Sequence, residues 1–325
     1  MDKPEESKII KNRSIPIIGL SALTKLMFVT LHIPYLKDEY PVGIMIIAKP
    51  GSGKSMLLTR FRSDRMVILN DLTGYGFEQT IRDMEGLGKG YVVVPDFLRL
   101  MARKRGYDAF VTLANIVLEE GLQGIRRFDA NVKFTNPLRF GIITAMTDAC
   151  YKRHADAFTT TGFSSRFGVF SYSYEQSDCL RIEKMLSVGH DYQSVIFKIE
   201  PPKDPGDGDI AVDNTMAIMI RHLGRILAAN TNVSFRQINF VRRLVKGHCL
   251  WRGRQGVTIE DIKEILALLP FFIPLNPAIS TDLDYFIARG SRHNVLAKTY
   301  TDEEIYNATQ RLIKKQIHFD SVVKT

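Results

Sequence analysis

Three small residues, Gly51, Ser52 and Gly53, stand immediately before a Lys54–Ser55 pair, at the point where the apolar run ending IIA gives way to MLLTRF. The backbone N–H groups of such a turn, at the mouth of a helix, suit an anion, and the helix dipole adds to the attraction. Lys54 is then placed to reach the outer phosphates of a nucleotide, and the Ser55 hydroxyl to ligate Mg²⁺. The spacing GxxxxGK[ST] is met except that Ala48 replaces the first Gly, and a small residue there keeps the turn possible. Pro50 and Met56 complete the set expected around the phosphates. The plain alternative is a structural glycine turn.

Phosphate chemistry also needs a carboxylate at the end of a neighbouring strand, to hold Mg²⁺ through water. YVVVPD supplies Asp96, but the acidic residue that often follows is missing, because position 97 is Phe. Either Glu119 or Glu120 supplies the base from another element, or hydrolysis is slow or lost.

These residues need a scaffold. VGIMIIA (Val42 to Ala48) is a continuous apolar run of strand length, which suits a central parallel strand covered on both faces. Further strands are predicted at Arg65 to Asn70, Gly90 to Asp96, Arg139 to Met146 and Phe167 to Tyr174. A helix is predicted ahead of the first strand, with Leu20, Leu23, Met27 and Leu31 at helical spacing, and another from Asp108 to Leu122. Strands alternating with helices predict a doubly wound α/β core.

That core is read as residues 14–205, after a flexible tail at 1–13. The Pro-, Gly- and Asp-rich stretch Pro201 to Asp209 reads as a linker. A three-helix lid is predicted at 206–270: about Asn214 to Ala229, about Phe235 to Trp251, and a helix capped by Thr258 and Asp261 with a stripe of Ile259, Ile262, Leu266 and Leu269. Residues 271–325 form an extension, with a capping box from Thr301 to Glu304 and a staple of Tyr300 on Ile305.

Bulk properties narrow the class. With 45% hydrophobic and 24% charged residues among 325, the chain has the composition of a globular protein. Its 44 Lys and Arg against 35 Asp and Glu give a net charge of +9, which favours a polyanionic partner without naming it. Cys150, Cys179 and Cys249 are far apart and lack a CxxC, so they read as reduced thiols rather than disulfides or zinc ligands. The seven histidines show no paired metal spacing. No apolar run reaches the roughly 18 residues needed to span a bilayer, and the start is charged, so a cytoplasmic protein with no membrane partner is expected.

Taken in order, these segments resemble the AAA+ ATPases, and in particular the branch of minichromosome-maintenance helicases, magnesium chelatase subunits, MoxR-type proteins and McrB-like GTPases. PIIG, with Ile18 and Gly19, resembles the box that contacts adenine, and LANIVLEEGLQGI resembles the segment between the second acidic motif and the first sensor. RFGIITAMTD resembles the sensor strand, with Thr147 as its polar residue; TGFSSRFGVFSY resembles the element that carries an arginine finger, Arg166. VSFRQINFVRRLVKGHCLWRGRQGVTIEDIKEILALL resembles the lid, with Arg236 at the second sensor position.

The resemblance implies a ring, hexameric in this branch, binding ATP with Mg²⁺ between subunits. Thr147 and Arg236 would sense the γ-phosphate, and Arg166 would reach the neighbour's nucleotide. DNA is the implied substrate. A basic segment, Gly124 to Thr135, lies where the branch inserts a pore hairpin, and Arg126, Arg127, Lys133 and Phe128 could track a nucleic acid there. The basic clusters Met101 to Tyr107 and Arg242 to Arg254 add to the charge. Two other readings stay open: a MoxR-like remodeller of protein clients, and a weakly hydrolysing nucleotide-dependent scaffold.

Overall fold

Period-two side-chain alternation decides how the central strand β1 (Gly43–Ala48) is covered. Ile44, Ile46 and Ala48 enter one buried cluster, Met45 and Ile47 another, and every residue of the strand is buried. In this computed structural model residues 17–272 are described, except 71–73, 102–103, 127–130, 190–194, 204–207 and 229–234. At the C-terminal end Thr301, Glu303, Glu304 and Asn307 are also described. The expected tail at 1–13, the Tyr300–Ile305 staple and most of the extension lie outside the described residues. The Thr301–Glu304 capping bonds are present.

Chain order before the sheet's far edge is α1 (Ser21–His32), β1, α2 (Lys54–Leu58), β2 (Phe61–Arg62), β3 (Met66–Ile68), α3 (Gly74–Leu87), β4 (Tyr91–Val94), α4 (Phe97–Met101) and α5 (Lys104–Glu119). Then come the strands β5 (Leu122–Arg126) and β6 (Asn131–Leu138), followed by β7 (Gly141–Thr147), α6 (Asp148–Thr160) and β8 (Phe167–Ser171). The remainder is α7 (Gln176–Ser187), β9 (Phe197–Lys198), α8 (Asn214–Ala228), α9 (Phe235–Trp251) and α10 (Ile259–Leu268).

Five strands form a parallel sheet in the order β3-β4-β7-β1-β8, with α/β crossovers that cover both faces. All five were expected from their apolar runs. β2 and β9 pair in parallel beside it, and β5 and β6 make an antiparallel hairpin.

On one face α1 packs with α8, α9 and α10. Leu23, Met27, Val241, Leu244 and Ile265 belong to the same apolar cluster as Ile44 and Ile46, so the helical domain shares its core with the sheet. The other face holds Phe97, Phe110, Phe140 and Phe163. α9 spans the expected residues, whereas α5 lies about one turn earlier than its expected range. The α10 stripe also differs: Ile265 and Leu268 are buried with Ile262, while Ile259 and Leu266 are 44% and 40% exposed. The Thr258–Asp261 capping box is formed.

Candidate nucleotide site and the arginine pair

The loop after β1 turns through two left-handed glycines, Gly51 (φ 73°) and Gly53 (φ 79°), and delivers Lys54 to the first turn of α2. These are backbone conformations that residues with a Cβ avoid. A Cβ added at Gly51 would meet nothing within 4 Å, so the cradle opens on free space. Ala48, in place of the usual Gly, is the last residue of an extended strand, where a methyl group costs nothing.

Lys54 is 8% exposed, and its Nζ donates to the carbonyls of Ala48 (2.8 Å) and Lys49 (2.7 Å) and to Ser52 Oγ (3.1 Å). Burial lowers its pKa, and the carboxylates of Asp148 and Asp96 oppose that shift. Ser55 Oγ donates to the carbonyl of Pro95 at 2.8 Å, which brings the end of β4 against α2.

Asp96 follows directly. Its carboxylate is 41% exposed, accepts from the Leu98 N–H (3.1 Å) and pairs with Arg99 at 3.4 Å. β1 and β7 place Ala48 opposite Thr147, whose Oγ1 accepts from the Cys150 N–H (3.3 Å) and so caps α6. Ala48, Gly51, Ser52, Gly53, Lys54, Ser55, Asp96 and Thr147 thus converge at the carboxyl ends of β1, β4 and β7, where ligands of open α/β sheets bind. Pro50 and Met56 flank the loop in sequence. Mg²⁺ takes one or two protein oxygens plus substrate phosphates and water, and Ser55 with Asp96 fits that donor set.

Phe97 has no exposed surface. Its ring stacks on Phe163 (centroids 5.9 Å apart) and meets Tyr107, Phe110 and Phe158 edge-on. The residue after Asp96 therefore sits in the core among these rings, where an ionised acid would be costly.

Glu119, Arg166 and Arg236 gather elsewhere. The Glu119 carboxylate pairs with Arg166 Nη2 at 2.9 Å through one oxygen and with Arg236 Nε through the other. Arg166 also donates to the Gly162 carbonyl (2.6 Å), and Arg236 to Ser165 Oγ (3.1 Å). They line a cavity of about 230 Å³ with Gly43, Gly168 and Phe240, at the amino ends of β1 and β8. β1 alone separates that end from the phosphate loop by five residue steps, about 17 Å at strand rise.

Two expectations are corrected by this placement. Glu119 cannot serve as base to its own subunit's nucleotide, since it is the counter-ion of two arginines at the other end of the sheet. Arg236 does not lean over its own phosphate loop, because α9 enters the fold beside Arg166. Glu120, next to Glu119 at the end of α5, is exposed, and its carbonyl accepts from Arg139 (2.9 Å).

Part of the expected polyanion surface is also internally committed. Glu39, 3% exposed, is clamped by Arg242 (2.7 and 3.0 Å), Arg243 (3.4 Å) and Lys246 (3.5 Å). Burial pushes its pKa up, but the Arg242 hydrogen bonds and the charges of Arg242, Lys246 and Arg243 hold it below the ordinary carboxylate value. Arg254 likewise pairs with buried Asp261, which also bonds His248 (2.6 Å). On the β5–β6 hairpin Lys133 is exposed, whereas Arg127 and Phe128 lie outside the described residues, as does the Arg126 side chain.

Three site residues were not expected from sequence. Asp148, in the first turn of α6, is one of the two carboxylates that bear on Lys54. Tyr172 and Tyr174 both donate to the Ser52 carbonyl, at 2.8 and 2.9 Å. Their signal is the SYSY alternation that continues out of β8, which puts both rings on one side. Ile18 and Gly19 lie just before α1, and the Tyr174 ring lies against Gly19.

The parallel sheet, with a phosphate loop after its inner strand β1 and helices on both faces, defines a P-loop α/β core joined to a helical domain. No protein-family model matches the chain, and no curated protein matches it in sequence. Among solved structures, a Cytophaga hutchinsonii protein provisionally named an ATPase is 14% identical with a TM-score of 0.45, covering 91% of this chain and 90% of its own. Among the described residues no helix is long and apolar enough to cross a membrane.

Proposed function

We propose that the chain is an ATP hydrolase of the AAA+ kind whose catalytic sites are shared between neighbouring copies in a ring. One observation carries this reading. The phosphate-holding residues and the arginine pair stand at opposite ends of the same sheet, farther apart than an arginine side chain reaches. Arg166 and Arg236 therefore have no access to a nucleotide on their own Lys54, but a copy stacked end to face would receive both.

In that arrangement the amides of Gly51 to Gly53 and the Lys54 ammonium hold the phosphates, and Ser55 and Asp96 would hold Mg²⁺. The ion, when bound, neutralises charge on the β- and γ-phosphoryl oxygens. Thr147 caps α6 so that its first turn faces the loop, and Asp148 in that turn takes the water-orienting role that Phe97 leaves vacant. The partner's two guanidiniums, held as a pair by Glu119, stabilise the charge that develops on the transferred group.

DNA is the substrate favoured by the +9 charge and by the hairpin that presents Lys133. The buried Phe97 favours a second reading, a nucleotide-dependent scaffold with slow turnover. Turnover of the wild-type protein is compared with that of Lys54→Ala, Arg166→Ala and Arg236→Ala. All three variants are expected to lose at least about a hundredfold. Equal background rates in all four leave only the scaffold. DNA affinity that falls steeply with salt and rises with ATP supports work on DNA; binding with no salt slope removes it and leaves a protein client.

A further inference from the structure

The phosphate loop is braced by side chains that play no part in the phosphate motif. β8 pairs with β1 up to Tyr172, whose N–H reaches the Ile47 carbonyl at 3.4 Å. From there the Tyr172 and Tyr174 hydroxyls converge on one acceptor, the carbonyl of Ser52, at 2.8 and 2.9 Å. The rings are perpendicular, with centroids 6.0 Å apart and planes at 89°, so the two O–H groups approach from different directions. A carbonyl oxygen has two lone pairs and satisfies both donors.

Tyr172 is 8% exposed, and burial pushes its pKa up to about 12, so it stays a neutral donor throughout the working pH range. Tyr174 is also seated on the segment before α1: a Cβ at Gly19 would lie 2.4 Å from its ring.

The consequence follows from peptide planarity. In a trans peptide the C=O and the N–H of the next residue point in opposite directions, so fixing one fixes the other. The Ser52 carbonyl is tied to the peptide that carries the Gly53 N–H, the donor next to Lys54. Gly53, at a left-handed φ of 79°, closes this unit, and a glycine at that position makes a peptide flip inexpensive. Left alone, the unit could rotate and present a carbonyl oxygen to an anionic ligand.

We propose that Tyr172 and Tyr174 are positioning residues that hold the Ser52–Gly53 peptide in the orientation that binds phosphate, with the Gly53 N–H turned to the ligand. The assignment rests on the nucleotide-binding reading above and adds to it the device that keeps the cradle formed before ligand arrives. It also links the two ends of β8, because the strand starts directly after Arg166 and runs out directly before this brace.

The test uses the full chain with Tyr172→Phe, Tyr174→Phe and the double variant, titrated with ATP and ADP. A 15N-glycine-labelled sample reports the Gly53 amide. Each single variant keeps one donor and is expected to weaken ATP binding no more than about threefold, whereas the double variant weakens it about tenfold or more. The Gly53 resonance of the nucleotide-free double variant should be displaced, with the melting temperature within a few degrees of wild type. A double variant that binds ATP like wild type, or whose Gly53 resonance does not move, overturns the inference while nucleotide binding stands. Wild-type protein that binds neither ATP nor ADP overturns the nucleotide reading itself and this inference with it.

Discussion

Phe97 offers the sharpest perturbation, because restoring the missing acid by Phe97→Glu would be expected to speed an enzyme whose position 97 faced the nucleotide. Here the opposite is expected. The ring has no exposed surface and touches four other aromatic rings. Removing such a side chain costs about 3–5 kcal/mol. The glutamate that replaces it must be neutral to stay buried. Holding a carboxyl of ordinary pKa about 4.3 protonated at pH 7 costs about 4 kcal/mol more. A loss of about 7–9 kcal/mol consumes most of the 5–15 kcal/mol that stabilises a typical native chain.

The assay is thermal unfolding followed by circular dichroism, with ATP turnover measured in parallel. Phe97→Glu should melt at least about 15 °C below wild type and turn over no faster. Phe97→Leu, which keeps apolar volume, should melt within several degrees. A Phe97→Glu protein with a native melting curve and faster hydrolysis would show that this side chain reaches the phosphates, and the account of the site would be wrong.

Three further outcomes are expected. Asp148→Asn should lower turnover about a hundredfold with ATP affinity within about threefold of wild type, as for loss of a water-orienting group; unchanged turnover removes Asp148 from the chemistry. Glu119→Gln should release both guanidiniums and lower turnover about tenfold while the melting temperature shifts by only a few degrees, since the cluster is part-exposed; activity equal to wild type would mean that the arginines need no anchor.

His32 should give the fold an acid-sensitive component. Burial lowers its pKa to about 4, against an opposing hydrogen bond to the Phe28 carbonyl at 2.7 Å. Because the folded value lies below the unfolded 6.5, the stability it contributes is complete above pH 6.5 and declines by about 3 kcal/mol as pH falls towards 4. Urea unfolding at pH 7.5, 6 and 4.5 should show this slope in wild type and a flatter one in His32→Gln; equal slopes would contradict it.

The sheet was legible in sequence because each of its strands is a bounded apolar run, and β1 is buried on both faces as its unbroken hydrophobicity implied. The phosphate loop was legible for a similar reason, since its chemistry lies within eight consecutive residues. What linear order could not convey was which end of the sheet a distant helix crosses. The resemblance gives Arg236 a second-sensor position, whereas α9 packs Val241 and Leu244 into the α1 core and carries Arg236 to the amino ends of β1 and β8. Glu119 stands in sequence as a candidate base because nothing local shows that two arginines, 47 and 117 residues further along the chain, close on it. Phe97 read as a gap in a catalytic motif, and only the aromatic cluster reveals its use. The tyrosine brace escaped notice because its acceptor is a backbone carbonyl 120 residues before Tyr172, and a backbone acceptor leaves no mark in side-chain identity.

A mixing experiment tests the shared site most directly. Lys54→Ala subunits keep their arginines but have lost the phosphate lysine, and Arg166→Ala subunits keep the lysine but have lost the arginine. Each alone should be nearly inactive. Combined in equal amounts they should recover a substantial fraction of wild-type ATP turnover, because some interfaces then pair an intact loop with an intact arginine. A mixture no more active than its two components would contradict the account.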